Sequence, residues 1–163
     1  MKNIFVLILM CITTQLPGQT ITGNYYDYFG HKLELKADST FKHTWHFDLI
    51  SSWTTGTWRI QNDTLFLETV LIYDTLKIDR NGMELDTFIL SSDETSEVIK
   101  WDEYFISQLS TGGQNRSPIP NKLYLRKKRL YLMDEKGKLI TKRSRGFWSG
   151  KKFPPYYVRP KNE

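Results

Sequence analysis

Leu33-Glu34-Leu35-Lys36-Ala37-Asp38-Ser39-Thr40-Phe41, then Gly56-Thr57-Trp58-Arg59-Ile60, then Asp63-Thr64-Leu65-Phe66-Leu67 repeat one pattern. Apolar side chains fall at every second position, and short turns led by Asp or Asn-Asp separate the runs. Alternation of period two gives a pleated ribbon one apolar face. The turn residues accept the backbone angles that a tight reversal needs. These stretches predict a meander of short antiparallel strands.

The same reading extends along the chain. Strands are expected over residues 23–29, 32–37, 40–49, 56–61 and 64–72, with a looser run at 50–55. Residues 74–78 and 83–90 alternate around Asn81-Gly82, a turn that tolerates positive φ. Residues 98–109 fit either a helix face through Val98, Trp101 and Phe105 or a bulged strand. Residues 110–121 form a Gly- and Pro-rich loop. Residues 122–125, 130–133 and 139–142 are expected as closing strands. The tail after Pro154-Pro155 is expected to run extended along the surface. The fold class is all-β, an antiparallel up-and-down meander of about eight to ten strands, and closure into a barrel removes the exposed edges.

Lys2 followed by the short apolar run 4–12 and Pro17-Gly18 has the layout of a secretory signal peptide over residues 1–18, with residues 19–163 as one domain. The run is too short to span a bilayer as a helix, which takes about 20 residues, so no transmembrane helix is expected in the processed chain. Cys11 is the sole cysteine. Lipid attachment there is the lesser reading, because Met10 stands where a lipoprotein signal takes a small residue. With cleavage after Gly18 the processed chain holds no thiol, hence no disulfide, and export to a periplasm or medium is expected.

Charge is unevenly spread. Residues 19–120 carry 8 Lys/Arg against 15 Asp/Glu, and residues 121–163 carry 14 against 3. Two readings stay open: the basic end neutralises the acidic body, or it meets an anionic partner. For an exported protein that partner is polysaccharide or a lipid headgroup surface rather than nucleic acid.

Gly23-x-Tyr25, Leu33-x-Leu35 with Asp38-x-Thr40-Phe41, and Gly56-x-Trp58 with Asp63-Thr64-Leu65-x-Leu67 together resemble the lipocalin-like proteins exported by Bacteroidota. The resemblance implies a lipocalin-like (calycin) barrel and leaves the role open. Asp38-Ser39-Thr40, Asp63-Thr64-Leu65 and Asp74-Thr75-Leu76 also resemble an O-glycosylation acceptor pattern of the same bacteria, although Asp before a β-branched residue suits a hairpin by itself.

No catalytic set is expected, since nucleophile elbow, phosphate loop and dinucleotide glycines are all missing from the sequence. His43 and His46 point to opposite faces of a strand, and His31 sits in a turn, so no metal site and no cofactor are expected. A barrel of about eight strands either packs solid or holds one small ligand. Tyr25, Phe41, Trp45, Trp58 and Tyr73 are the candidates to line such an interior around a small apolar ligand. The alternative site is one cationic face built from Arg126, Lys127, Lys128 and Arg129 with Arg143 and Arg145, which would meet an anionic envelope surface. The expected role is that of an exported, non-catalytic binding module.

Overall fold

The structure is a computed structural model that describes residues 21–109, 112–115 and 119–160. The proposed signal peptide, its cleavage site and Cys11 lie outside the described residues.

Five consecutive antiparallel strands form most of a barrel wall: β1 (Gly23–Tyr26), β2 (His31–Leu35), β3 (Thr40–Phe47), β4 (Ile50–Gln61) and β5 (Thr64–Val70). The chain then leaves the barrel through β6 (Tyr73–Arg80), β7 (Met83–Leu90), β8 (Val98–Lys100) and helix α1 (Trp101–Leu109). It returns as β9 (Lys122–Arg126), paired with β5, and β10 (Arg129–Leu132), paired with β9. A two-stranded hairpin, β11 (Ser144–Arg145) and β12 (Lys152–Phe153), precedes the last strand, β13 (Tyr156–Val158). Strand β13 pairs with β10 on one side and β1 on the other, which closes eight strands into a barrel. The all-β antiparallel barrel read from the alternation is therefore the fold.

Register explains the core. Leu35 faces Phe41, Ile60 faces Leu65, Leu65 faces Leu123, and Leu130 faces Tyr157. Residues that face each other across a ladder share a side of the sheet, so one continuous apolar lining follows. Leu33, Leu35, Phe41, Leu65, Leu123 and Leu130 are each at most 1 % exposed. They fill the end of the barrel that carries the β2–β3, β4–β5 and β9–β10 turns, here the closed end. Gly56 belongs to this packing: a Cβ there would lie 2.0 Å from the Glu68 carbonyl oxygen and 2.8 Å from the Phe41 ring.

Several expectations change, among them the looser run at 50–55, which is continuous with 56–61 in β4. Strands β6 and β7 are not barrel staves. With β8 they form a separate three-stranded sheet, and β8 pairs in parallel with β6. Their alternation is real, but apolar residues remain exposed on it, including Met83, Leu85, Phe88 and Val98. Residues 98–109 are neither a helix nor a strand throughout, because three residues pair with β6 before the helix begins at Trp101. Residues 139–142 supply only a bridge between Leu139 and Met133, and the closing strand is β13 instead, formed by the tail that was expected to lie along the surface. Pro155 and Pro160 flank β13 without entering it, so its three backbone N–H groups stay available to the ladders. Finally, the first strand stops at Tyr26, where Asp27 begins a turn.

The excursion is held against the outer wall of the barrel. The Trp53 indole N–H donates to the Ser92 carbonyl at 3.2 Å, and Lys42 pairs with Glu94. The Gln114 side chain accepts from the Ile72 backbone N–H and donates to the Ile72 carbonyl, at 3.0 and 2.8 Å. No helix of the described residues is long and apolar enough to cross a membrane.

Candidate functional site

The opposite, open end of the barrel differs in chemistry. On β3 the inward positions run Phe41, His43, Trp45, Phe47, changing from oily to polar to aromatic as the strand leaves the core. His31 faces Trp45 across the β2–β3 ladder, and His43 faces Thr54 across the β3–β4 ladder. His31, His43, Trp45 and Thr54 thus share one inner surface on three neighbouring strands.

Rings form a line from this surface to solvent. The His31 and His43 rings stack with centroids 5.2 Å apart. His31 lies 6.2 Å from Trp45, Trp45 lies 6.2 Å from Phe47 at an interplanar angle of 6°, and Phe47 lies 6.4 Å from Trp148 at 5°. The inner end is buried, with His43 only 3 % exposed, whereas Trp148 is 88 % exposed. At the outer end, Tyr28, Phe29, Gly30, His46, Phe47, Asp48, Phe147 and Trp148 line a groove of ≈ 440 Å³.

Local structure fixes these rings. Asp27 Oδ1 accepts from the backbone N–H groups of Phe29 and His31, at 2.8 and 2.9 Å, which closes the β1–β2 turn. Gly30 sits at φ +85°, and a Cβ there would lie 2.2 Å from the His46 carbonyl oxygen. Only glycine fits such an approach with positive φ. The Trp45 indole N–H donates to the Phe29 carbonyl at 3.0 Å and locks the ring. The β11–β12 hairpin brings Phe147 to Phe47, with ring centroids 4.6 Å apart.

The floor of the line is polar and incompletely paired. His31 Nδ1, His43 Nδ1 and Thr54 Oγ1 are buried without a hydrogen-bond partner. The Tyr157 hydroxyl stands 3.5 Å from His43 Nε2, the outer limit of a hydrogen bond. Burial first, and His31 second, push the His43 pKa down to about 4, so this imidazole is neutral at physiological pH. Burial also lowers His31, against an opposing pull from Asp27. Asp27 is raised by burial, while its backbone hydrogen bonds and His31 oppose the rise. Burial raises the Tyr157 hydroxyl, and Asp27 adds to that.

Of the five residues expected to line the interior, Tyr25, Phe41 and Trp58 belong to the packed core. The Tyr25 hydroxyl donates to the Ile21 carbonyl at 2.8 Å and the Trp58 indole N–H to the Lys36 carbonyl at 3.0 Å, as wedged core aromatics do. Trp45 lies on the ring line. Tyr73 is 44 % exposed on β6, outside the barrel, so it lines no interior.

The six cations do not make one face. Arg126, Lys127, Lys128 and Arg129 surround the β9–β10 turn at the closed end, beside Asp63 and Tyr25. Arg143 and Arg145 lead into the β11–β12 hairpin at the open end, and antiparallel connectivity separates the two groups by the length of the barrel. Among the described residues, Lys42–Glu94 and Lys77–Glu84 are ion pairs, and neither uses a cation from residues 121–158.

Sequence reasoning missed the part that His43, Thr54, Phe47, Phe147, Trp148 and Tyr157 play here, and it put His31 in a turn, whereas His31 opens β2 and faces Trp45. One signal was available: Phe41-x-His43-x-Trp45-x-Phe47 keeps His43 on the side of a core phenylalanine. His46 does point away and is exposed, as the alternation requires. Among the described residues no three His, Cys, Asp or Glu side chains are arranged to hold a metal ion. No family model, curated protein or solved structure matches the chain.

Proposed function

We propose that the protein is an exported, non-catalytic, lipocalin-like binding module that takes a small neutral ligand at the open end of its barrel. The ligand is flat and apolar along its body and carries one hydrogen-bonding group. The observation that carries this reading is the ring line ending on three buried, unpaired polar atoms, His31 Nδ1, His43 Nδ1 and Thr54 Oγ1. A buried polar group without a partner costs about 1–3 kcal/mol, which a ligand hydroxyl, amide or amine at the floor would recover. Parallel rings along the entry offer faces on which a planar body stacks. Neutrality follows from the floor itself, since His43 stays uncharged and the Asp27 carboxyl beside His31 would repel an anion. The closed end is filled by its own side chains, so the ligand belongs to the mouth rather than the barrel centre.

The test is titration with N-phenyl-1-naphthylamine, a neutral flat probe with one N–H, followed by its fluorescence gain on transfer from water. Wild-type protein is expected to enhance it saturably. Trp45→Leu is expected to weaken binding by about tenfold, the loss of one stacked ring and its area. Absence of saturable enhancement, or equal affinity in a well-folded Trp45→Leu variant, would remove this reading.

A further inference from the structure

The two loops that rim the mouth end in side chains that turns do not normally carry. Phe47 faces Ile50 across the β3–β4 hairpin, leaving Asp48-Leu49 as a two-residue turn with Asp48 at φ +54°. Such turns take polar residues or glycine, yet Leu49 is 76 % exposed and Ile50 52 %. The β11–β12 hairpin carries Phe147 and Trp148 at its tip, 56 % and 88 % exposed. Phe47 touches both of these rings, so the two tips lie side by side at one end of the barrel. An apolar cluster held out into water is costly unless something covers it.

The charge around the cluster limits what could cover it. Lys142, Arg143, Arg145, Lys151 and Lys152 lie within six residues of Trp148, all exposed, and none is in an ion pair among the described residues. Residues 136–162 contain no Asp or Glu. Asp48 is the one carboxylate on the tips themselves. Aromatic and aliphatic side chains at the apex of a ring of cations match a surface that is anionic outside and apolar a few ångströms beneath. A soluble anionic polymer would use the cations but would leave Leu49, Ile50 and Trp148 uncovered.

We infer that the open end docks on an anionic lipid bilayer, with the Leu49–Ile50 and Phe147–Trp148 tips entering the headgroup layer and the cations beside the second tip contacting lipid phosphates. The basic turn at Arg126–Arg129 takes no part, because it caps the far end of the barrel. This inference stands apart from the ligand reading, since the tips are exposed whether or not the mouth is filled.

The experiment is co-sedimentation of the full chain with phosphatidylcholine vesicles, with and without about one-third phosphatidylglycerol. Each variant is compared with its parent chain in the same form. Wild-type protein is expected to bind the anionic vesicles at least about tenfold better than the neutral ones, and to lose this advantage in high salt. Replacing Arg143 and Arg145 by Gln is expected to cut binding by about tenfold. Leu49→Ser with Trp148→Ser is expected to cut it comparably while leaving retention on dextran sulfate unchanged. Replacing Arg126, Lys127, Lys128 and Arg129 by Gln is expected to leave vesicle binding as it was. Bromine-labelled acyl chains are expected to quench tryptophan fluorescence in the parent and markedly less in Trp148→Phe. Vesicle binding that survives the tip substitutions, or that disappears with the far-end turn, would overturn the inference. Retention on dextran sulfate without vesicle binding would assign the cations to polysaccharide instead.

Discussion

Lowering the pH should cost this protein stability through one buried histidine. His43 is 3 % exposed and its pKa is held at about 4 in the fold, against an ordinary 6.5 in the unfolded chain. A base with a depressed folded pKa binds its proton more readily when unfolded. Its contribution is therefore intact above the unfolded value and is lost as pH falls towards the folded one. Integrating the difference in bound protons gives a loss of about 2 kcal/mol between about pH 7.5 and about pH 5, before most carboxylates titrate. His31 is lowered too and acts in the same direction, whereas Asp27, with its raised pKa, opposes both at lower pH. Urea denaturation of wild type and His43→Leu at both pH values isolates this contribution. The variant removes the titrating ring and keeps an apolar side chain of similar size, so its pH dependence is expected to be flatter by about 2 kcal/mol. Equal losses in the two proteins would mean that His43 is hydrated and protonates freely, and the polar floor described above would not exist in solution.

Other substitutions test other parts of the account. Leu65→Ala, at a side chain with no exposure, is expected to destabilise by about 2–5 kcal/mol in thermal or urea unfolding, as a cavity in a filled closed end requires. A cost under about 1 kcal/mol would indicate a hollow barrel. Gly30→Ala would press a Cβ against the His46 carbonyl and is expected to cost about 2 kcal/mol or more, with altered near-ultraviolet circular dichroism from Trp45. Lys127 and Lys128 hold φ +51° and +60° in a two-residue hairpin turn that favours Asn-Gly. Lys127→Asn with Lys128→Gly is therefore expected to stabilise by about 1 kcal/mol in urea unfolding, and a loss of stability would contradict the turn geometry.

Much of the barrel was legible because its information is local. Leu33-x-Leu35, Trp58-x-Ile60 and Leu65-x-Leu67 state which side is buried, and Asn62-Asp63 states where the chain reverses, without knowledge of any distant residue. What failed was long-range pairing. Strands β6 and β7 alternate as convincingly as the barrel strands, and nothing local says that β5 will pair with β9 across some 50 intervening residues. Strand β13 is three residues long and carries no pattern strong enough to announce itself, yet it closes the barrel. The mouth was hidden for the same reason. His31 meets His43 only because the four-residue β2–β3 turn sets a register that places His31 opposite Trp45. Phe147 and Trp148 reach Phe47 from a hundred residues away. The cationic face failed differently: nearness in sequence suggested one patch, and antiparallel connectivity put its halves at opposite ends.

The rest depends on a barrel that is packed at one end and that, at the other, takes a ligand along the line of rings running from buried, unpaired polar atoms to a surface groove. Titrating isotope-labelled protein with N-phenyl-1-naphthylamine and following backbone and side-chain resonances by NMR tests it directly. Shifts are expected to concentrate at His31, His43, Trp45, Phe47 and the Trp148 indole, with Leu65, Leu123 and Leu130 unmoved. Shifts centred on those three leucines would place the ligand in the barrel centre and contradict it.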